Sequence, residues 1–430
     1  MRKFYGIYFC LTIISHYSTA QNPVPVKPRI LISTDIGGTD PDDNQSMTHF
    51  LMYSNLFQTE GLISSASYGN GSKQHIIGMI DLYEKDLPKL SQNAKGYPAP
   101  NALKAICKQG RKGAAPFKGY GSATEGSKWI IQCARKKSKQ PLWILAWGGL
   151  EDVAQALHDA PDILNKVRVY WIGGPNKKWS ANAYAYIAEY FPSLWLIEAN
   201  GSYNGFFAGS GVFDSPLNNN YYNNYIKAAG ALGKDFKKYY DGNIKMGDTP
   251  SLLYMMDGDP NDPLKENWGG SFEKLTRSSR YIYERNTTIA DTVSVYAVVE
   301  FRFKGPVINI PDDSACFSMS VQAEIGEQKW DGFYLGDGLY AIRYCPKKAE
   351  MLSYKITSAI PDFEEREGIF VVNNLWPGKP TNADYQLGSN WYTDRNDPAL
   401  FNDNQQGAKT VLKWRDAALL DWAKRWAWLY

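Results

Sequence analysis

The chain has 430 residues, of which 44% are hydrophobic and 21% are charged. This composition excludes an intrinsically disordered chain, which would contain fewer apolar and more charged residues. The formal net charge is only +3 and no long basic run occurs, which excludes a dedicated nucleic-acid-binding protein. Aromatic residues reach 14%, whereas there are only four histidines, so any chemistry must rely on carboxylates and aromatic rings.

The first twenty residues have the pattern of a secretory signal peptide. A basic start precedes an apolar stretch from Phe4 to Ser15, and the small residues Ser18 and Ala20 follow. This order is typical of a signal peptide that is cleaved after a small residue. A membrane anchor is the alternative, but the apolar run is shorter than the roughly 20 residues that a span needs. We therefore expect a signal peptide over 1–20 and a secreted or periplasmic protein without a membrane span.

Four cysteines follow this segment, namely Cys107, Cys133, Cys316 and Cys345. An even number in an exported chain is typical of disulfide bonds, and pairing between sequence neighbours is the simplest arrangement. Four buried thiols are the alternative, and for a domain of this size the pattern does not decide between them. No spacing of Cys and His indicates a zinc site.

Strands and helices alternate over the first two thirds of the chain. Runs typical of strands buried on both faces lie at 29–34, 61–66, 142–147, 167–172 and 194–198. Helical spacing follows several of these runs, for example over 76–83 and 151–158. The alternation predicts an α/β fold with a doubly wound, mostly parallel sheet.

The pattern changes near residue 280. Apolar and polar residues alternate with a period of two over roughly 280–375, which predicts a β-sandwich. Helical spacing returns after Asp403, and we interpret its stripe of three tryptophans and Ala418 as core. We therefore predict an α/β domain over 28–278, an inserted β-sandwich module over 279–390, and a C-terminal helical segment over 391–430 that packs on the α/β domain.

An acidic cluster follows the first predicted strand. The carboxylates are Asp35, Asp40, Asp42 and Asp43. Open α/β sheets bind ligands at the carboxyl ends of their strands, where Asp35 stands. Four neighbouring carboxylates repel one another unless a cation lies among them, and hard oxygen ligands suit Ca²⁺ or Mg²⁺. The alternative is a solvated acidic turn whose last two carboxylates favour the start of a helix.

Several motifs in chain order resemble those of the inosine-uridine-type nucleoside hydrolases. The resemblance implies that this fold binds Ca²⁺ and hydrolyses an N-glycosidic bond. Carried over residue by residue, it implies that Asp42 is the general base and that Asp35, Asp43, Asp248 and the backbone carbonyl of Trp147 bind the metal. The segments that carry the resemblance are Ser33–Asp43, Gly69-Asn70, Trp147-Gly148-Gly149-Leu150, Trp171-Ile172-Gly173-Gly174 and Met246-Gly247-Asp248-Thr249-Pro250.

Three departures from the family pattern affect the predicted site. The first loop has extra residues, so Asp40 competes for a ligand or substrate-binding role. Gly247 stands where many members have a histidine that assists the leaving group. The ribose-binding stretch is missing, which leaves Asn182, near its place, and Asn70 as candidates to hold sugar hydroxyls.

These features resemble a divergent subgroup of nucleoside hydrolase-like proteins, some of which are described as cellulose-binding. The β segment more weakly resembles a module found beside glycoside hydrolases, for which carbohydrate binding is presumed from context. Its aromatic residues Trp330, Phe333 and Tyr334 are interpreted first as core or turn residues.

Three hypotheses of function follow. The first is an exported Ca²⁺-dependent hydrolase of N-glycosyl or related glycosidic bonds, in which Asp42 activates water and Ca²⁺ holds sugar hydroxyls. The second is a non-catalytic carbohydrate-binding protein that keeps the metal site, and the third is a purely structural Ca²⁺ site. The expected partner is a small sugar or a glycan-derived molecule and not a nucleic acid. The oligomeric state stays open.

Overall fold

A computed structural model of the chain describes Met1 and residues 27–38, 40–67, 69–207, 219–323 and 326–430. The predicted signal peptide, apart from Met1, lies outside these residues. Among the described residues, no helix has both the length and the apolar composition needed to cross a membrane.

The first part of the chain alternates between strands and helices. Its described strands are β1 (Arg29–Thr34), β2 (Gln58–Ser64), β3 (Ala66–Ser67), β4 (Gly69–Asn70), β5 (Cys107–Gln109), β6 (Leu142–Ala146), β7 (Val167–Ile172), β8 (Trp195–Ala199) and β9 (Phe272–Lys274). Its described α-helices are α1 (Asp42–Tyr53), α2 (Lys73–Asn93), α3 (Pro100–Ala105), α4 (Glu125–Ala134), α5 (Glu151–Asp159), α6 (Gly174–Trp179), α7 (Ala181–Tyr190), α8 (Gly230–Phe236) and α9 (Thr249–Met256).

The rest of the chain is mainly β structure and ends in one long helix. Its described strands are β10 (Arg277–Ser278), β11 (Arg280–Tyr283), β12 (Thr292–Ser294), β13 (Val298–Lys304), β14 (Ser314–Ala323), β15 (Gly326–Tyr334), β16 (Leu339–Tyr344), β17 (Met351–Thr357), β18 (Arg366–Asn373), β19 (Tyr385–Gln386) and β20 (Trp391–Asp394). The helix is α10 (Lys409–Trp426).

An eight-stranded sheet forms the centre of the α/β domain, in the order β5-β2-β1-β6-β7-β8-β20-β9. Neighbouring strands run parallel except β9, which is antiparallel to β20. Every residue of β1 and β6 is buried, as expected for parallel strands covered by helices on both faces. The predicted α/β fold class is therefore confirmed.

The second sheet also has eight strands, in the order β11-β13-β16-β15-β14-β17-β18-β12. Phe301 of β13 and Tyr354 of β17 are four places apart in this order, yet their ring centroids lie only 4.6 Å apart. Phe301 also contacts Phe370 of β18, at 6.2 Å. The sheet therefore curls over a shared apolar core, which gives the sandwich-like module that the alternating pattern predicts.

The chain returns from the module to the α/β sheet at β20, which inserts between β8 and β9. Helix α10 then covers the domain with Trp422 and Trp426, which are 1% and 0% exposed. The interpretation of this stripe as core is confirmed for Ala418, Trp422 and Trp426, whereas Trp414 is only partly buried. The predicted C-terminal helical segment thus begins with a strand that the sequence pattern did not indicate.

The disulfide alternative is wrong, because all four described cysteines are free thiols. Cys107, Cys133 and Cys345 are buried, and Cys316 is partly buried. The Cys107 thiol donates to the Leu103 carbonyl at 3.3 Å, and the Cys133 thiol donates to the Glu60 carbonyl at 3.4 Å. The cores of the two domains hold these thiols as small apolar side chains.

Candidate functional site

A cavity of about 230 Å³ lies where several strands of the α/β sheet end. Asp35 follows β1, Trp147 follows β6, and Ile172 ends β7, so parallel strands bring distant parts of the sequence to one sheet edge. The remaining lining residues are Asp40, Asp42, Asp43, Ser67, Pro175, Asn176, Trp179, Tyr203, Phe207, Lys245, Gly247, Asp248, Gln328 and Lys347. We call this the acidic cavity.

Three carboxylates meet inside the acidic cavity. Asp42, Asp43 and Asp248 each offer one oxygen, and these oxygens lie within 4.8 Å of one another. Asp42 and Asp43 open helix α1, and Asp248 immediately precedes α9. Asp35 lies outside this group of three but lines the same cavity. The structure therefore brings together all four carboxylates to which the resemblance assigns metal binding or base catalysis.

Burial makes this cluster electrostatically costly. Burial raises the pKa of Asp42, Lys245 opposes the shift, Asp40 adds to it, and the net result is a pKa of about 7. Burial also raises the pKa of Asp43 well above its usual range, and Asp248 adds to the shift. The pKa of Asp248 is likewise raised by burial and by Asp42. Each carboxylate is thus destabilised by lost hydration and by its neighbours.

The donor set fits a divalent cation. Asp43 and Asp248 are each only 4% exposed, and the Oδ2 atom of Asp248 is buried without a hydrogen-bond partner among the described residues. Such an oxygen pays the cost of desolvation unless something binds it. Carboxylate oxygens are the ligands that Ca²⁺ and Mg²⁺ prefer, and a cation would also offset the mutual repulsion.

Hydrogen bonds hold two of these carboxylates in place. The hydroxyl of Thr34, at the end of β1, donates to Asp43 Oδ1. The backbone amide of Gly247 donates to Asp42 Oδ2 at 3.1 Å. The Trp147 carbonyl, a predicted metal ligand, accepts from the Asn176 amide at 3.0 Å; a carbonyl oxygen has a second lone pair that remains for another partner.

Gly247 leaves room for Asp42. A Cβ atom at this position would lie 2.6 Å from Asp42 Oδ2, which is closer than non-bonded atoms approach. A histidine at position 247, as many nucleoside hydrolases have, therefore requires Asp42 to move. The absence of the family histidine and the position of the Asp42 carboxylate are parts of one local arrangement.

Two lysines are the cationic side chains among the lining residues of the acidic cavity. Lys245 forms an ion pair with Asp40, and its Nζ lies 3.8 Å from Asp42 Oδ2. Burial lowers the pKa of Lys245, but Asp42 and Asp40 outweigh burial and raise it. The predicted substrate-binding residue Asp40 is thus half exposed and paired with a lysine. Lys347 adds a second ammonium group from the β module.

The described side chains that line the acidic cavity do not include either of the two asparagines predicted to bind sugar. Asn70 lies in β4, paired with Ala66 of β3, but its side chain falls outside the described part of the structure. Asn182 does not line the acidic cavity. It lines a neighbouring cavity, where its amide donates to the Ala115 carbonyl at 2.9 Å.

The sequence motifs missed several lining residues. Gln328 of β15 and Lys347 both come from the β module. Tyr203 and Asn176 belong to the α/β domain but match no quoted motif. Only Lys245 carried a signal, because it immediately precedes the segment from Met246 to Pro250 that carries the resemblance.

A larger cavity lies elsewhere among the described residues. It measures about 760 Å³, belongs to the β module, and is lined by hydroxyl, amide and charged side chains, the charged ones being Glu327, Lys355 and Glu367. The group of three carboxylates described above lies in the acidic cavity and not there. Chemistry therefore favours the smaller, acidic cavity as the functional site.

Two family models match the sequence. The model described as "Cellulose-binding Sde182, nucleoside hydrolase-like domain" matches residues 29–272, which is more than half of the chain. A domain of unknown function, DUF5060, matches residues 292–359 of the β module. No protein with a curated description matches the sequence.

Solved structures give further similarities. A nucleoside hydrolase-related protein from Saccharophagus degradans, described as associated with carbohydrate metabolism, is 19% identical, with 81% of this chain and 100% of that chain covered and a TM-score of 0.49. An inosine-uridine preferring nucleoside hydrolase from Bacillus anthracis is 14% identical, with 59% and 86% covered and a TM-score of 0.35. A putative glycoside hydrolase from Bacteroides vulgatus is 29% identical over 19% of this chain and 16% of that chain, with a TM-score of 0.18.

Proposed function

The chain belongs to the family described as cellulose-binding Sde182, nucleoside hydrolase-like domain, and from this premise we propose that it is an exported Ca²⁺-dependent hydrolase of an N-glycosyl or related glycosidic bond in a sugar-containing ligand. The family agrees with the resemblance found in the motifs. The observation that carries the proposal is the meeting of Asp42, Asp43 and Asp248 within 4.8 Å in a cavity at the strand ends.

Asp43 and Asp248 are the proposed metal ligands, together with Asp35 and the Trp147 carbonyl. The supporting observation is that Asp248 Oδ2 has no other partner among the described residues. When bound, Ca²⁺ supplies Lewis-acid polarisation of oxygen ligands and neutralises the surrounding carboxylates. Asp42 is then the carboxylate left to act on the ligand.

Asp42 is the proposed general base. In the hydrolysis, a water oxygen forms a bond to the anomeric carbon, the bond from this carbon to the leaving group breaks, and the water proton goes to Asp42. Asp42 suits this role because its carboxylate lines the cavity beside the proposed ligands Asp43 and Asp248, where it can accept a proton from water. The Gly247 amide keeps the carboxylate in position.

Lys245 is the proposed cationic partner of the departing group. Its Nζ lies 3.8 Å from Asp42 Oδ2, and the raised pKa, which Asp42 and Asp40 cause, keeps the ammonium protonated. A protonated amine donates a hydrogen bond to an oxygen or nitrogen that gains negative charge. Lys245 would take the place of the histidine that many nucleoside hydrolases have at the position of Gly247.

A second function is carbohydrate binding without turnover. The observation that favours it is Gly247, because a side chain there would collide with Asp42 and the usual imidazole acid is absent. The family description, cellulose-binding, agrees with this alternative. In it, the same cation and carboxylates hold sugar hydroxyls and no bond breaks.

Three measurements test these proposals. Calorimetry with Ca²⁺ should show about one tight ion per chain, lost in Asp248→Asn; no binding would remove the metal site. Turnover of nucleosides and cello-oligosaccharides with Ca²⁺ should occur in the wild type. Asp42→Asn should keep ligand binding but lose turnover by about 10²–10⁴-fold. If the wild type binds sugar without any turnover, the binding function replaces the hydrolase.

A further inference from the structure

A second cavity adjoins the acidic cavity at the boundary between the two domains. It measures about 280 Å³, and Ser67 and Trp179 line both cavities. Asn182 of α7 contributes from the α/β domain, whereas Trp330, Phe333 and Arg343 contribute from strands β15 and β16. We call this the aromatic cavity. The shared wall makes the two cavities neighbours along one groove.

The sizes of the cavities favour joint use. Sites for small molecules usually enclose about 300–1,000 Å³, and each of these cavities, at about 230 and 280 Å³, falls below that range. The combined volume of the two cavities falls inside that range. A ligand that fills a site of ordinary size here must therefore extend from the carboxylates past Trp179 into the second space.

Strand β15 contributes side chains to both cavities. Gln328 lines the acidic cavity and Trp330 lines the aromatic cavity. Residues two apart in a strand point to the same side, so this strand presents a polar group and then an indole along the direction of the groove. The Lys178 ammonium binds the Gln328 amide oxygen and fixes the strand against α6.

The aromatic wall is assembled from both domains. The indoles of Trp179 and Trp330 stack with centroids 4.7 Å apart and planes inclined by 13°. Tyr344 packs edge-on against Trp330 at 4.8 Å, and the indole N–H donates to the Lys178 carbonyl at 3.3 Å. Because these contacts hold the rings, little side-chain freedom remains to be lost when a ligand packs on them.

Polar groups border the aromatic wall. Asn182 lines this cavity beside the Arg343 guanidinium, which lies 3.5 Å from its side-chain oxygen. The exposed carboxylate of Asp331 lines the same cavity. Lys178 and Lys329 also line this cavity. An apolar ring surface bordered by amide, guanidinium, ammonium and carboxylate groups matches a sugar ring, which has apolar C–H faces and hydroxyls around its edge.

We propose that the acidic and aromatic cavities are two subsites of one groove, which binds an oligosaccharide with one sugar unit at the carboxylates and the next against Trp330. The proposal rests on the proposed function, because it assumes a sugar in the acidic cavity. It names the ligand class as a glycan chain of at least two units, and it gives the inserted β module a direct part in recognition.

The test measures the binding of glucose, cellobiose and cellotetraose to the full-length protein by calorimetry with Ca²⁺ present. The wild type should bind cellobiose about tenfold more tightly than glucose, with little further gain for cellotetraose. Trp330→Ala should lose that tenfold difference and leave glucose binding unchanged. Trp330→Phe should retain most of it, because an aromatic ring remains.

Control variants separate the subsite from a general effect on folding. Tyr430→Ala removes an exposed aromatic side chain that lines neither cavity, and it should leave every affinity unchanged. Asp331→Ala changes an exposed residue of the aromatic cavity and should weaken cellobiose about threefold. This variant keeps the test valid if Trp330→Ala fails to fold.

The outcomes distinguish failure of the proposed function from failure of the second subsite. If the wild type binds none of these sugars but turns over nucleosides, this inference fails and the proposed function stands. If it neither binds these sugars nor turns over nucleosides, both fail. If glucose and cellobiose bind equally, or if Trp330→Ala weakens both alike, only the second subsite is refuted. Inosine that binds as tightly as cellobiose, with the same dependence on Trp330, would assign the aromatic cavity to a nucleobase and overturn the glycan proposal.

Discussion

In the absence of metal, we expect Asp42→Asn to make the protein more stable, although it removes the proposed base. The variant keeps the size of the side chain and an oxygen that can accept from the Gly247 amide, whose bond to Asp42 measures 3.1 Å. It removes a negative charge that lies within 4.8 Å of carboxylate oxygens on Asp43 and Asp248. The repulsion that it relieves is present only in the folded state.

The magnitude follows from the pKa of Asp42, which burial raises from 3.8 to about 7 in the folded protein. The folded state therefore holds a proton that the unfolded chain has already released, and stability falls as the pH rises between these values. Above pH 7 the full penalty is present, of order 4 kcal/mol at 1.36 kcal/mol per pKa unit. At pH 5 the penalty is only about 2 kcal/mol by the same relation.

Urea unfolding with a chelator, at pH 8 and at pH 5, measures this effect. Asp42→Asn should raise the free energy of unfolding by several kcal/mol at pH 8 and by about half as much at pH 5. Asp241→Asn is the matched control, because it makes the same chemical change at a carboxylate that is 74% exposed and does not line the acidic cavity. We expect it to change stability by less than about 0.5 kcal/mol.

Added Ca²⁺ should narrow the difference in stability between the two proteins. A ligand at one hundred times its Kd stabilises the folded state by about 2.7 kcal/mol, and the wild type, with its full set of carboxylates, should gain more than the variant. An Asp42→Asn protein that is no more stable than wild type at pH 8, or whose gain is the same at both pH values, would refute this account of the cluster.

Three further predictions concern Gly247, the core and the thiols. Gly247→Ala places a Cβ 2.6 Å from Asp42 Oδ2, so calorimetry should show Ca²⁺ affinity reduced about tenfold; unchanged affinity would contradict the close approach. Lys177 Nζ binds the Glu198 carboxylate at 2.6 Å, and both side chains are 0% exposed. Lys177→Met leaves this carboxylate buried without its ammonium partner, so urea unfolding should show a free energy of unfolding lower by about 3–5 kcal/mol. A decrease below about 1 kcal/mol would contradict a stabilising role for this ion pair. Because only Cys316 is not fully buried, a thiol reagent should label at most one of the four described cysteines in the native protein and all four after denaturation; fewer after denaturation would indicate a disulfide.

Sequence reasoning predicted most of the α/β sheet because its central strands are buried on both faces. Arg29–Thr34 and Val167–Ile172 were identified with their full bounds, since continuous apolar runs mark such strands. The strands Cys107–Gln109 and Trp391–Asp394 were missed. These two strands are only three and four residues long and contain polar side chains, so they lack a continuous apolar run. They are strands because they pair with neighbouring strands of the sheet.

The site was predicted to the extent that local motifs encode it. Asp35, Asp42, Asp43 and Asp248 lie together as the motifs indicate, because strand ends and helix starts fix them. Gln328 and Lys347 could not be predicted, since no local pattern marks a side chain that reaches a cavity across a domain boundary.

Asn182 shows the limit of transfer by resemblance. Its place in the sequence is near that of the family's ribose-binding stretch, but in the structure it lines the aromatic cavity. Its use as a ligand for the sugar at the carboxylates stays a prediction without a contact to that cavity.

The position of β20 sets the order in which the protein can fold. The Thr393 hydroxyl of β20 donates to the Glu198 carbonyl of β8 at 3.1 Å, and 195 positions of sequence separate the two residues. The edge of β8 that pairs with β20 therefore has no partner strand until the whole β module has been synthesised. Pairing at such separation is slow, and an unpaired sheet edge is a site for aggregation. The last forty residues therefore complete the central sheet. A chain truncated before Trp391 should aggregate, even though it contains every residue that lines the acidic cavity.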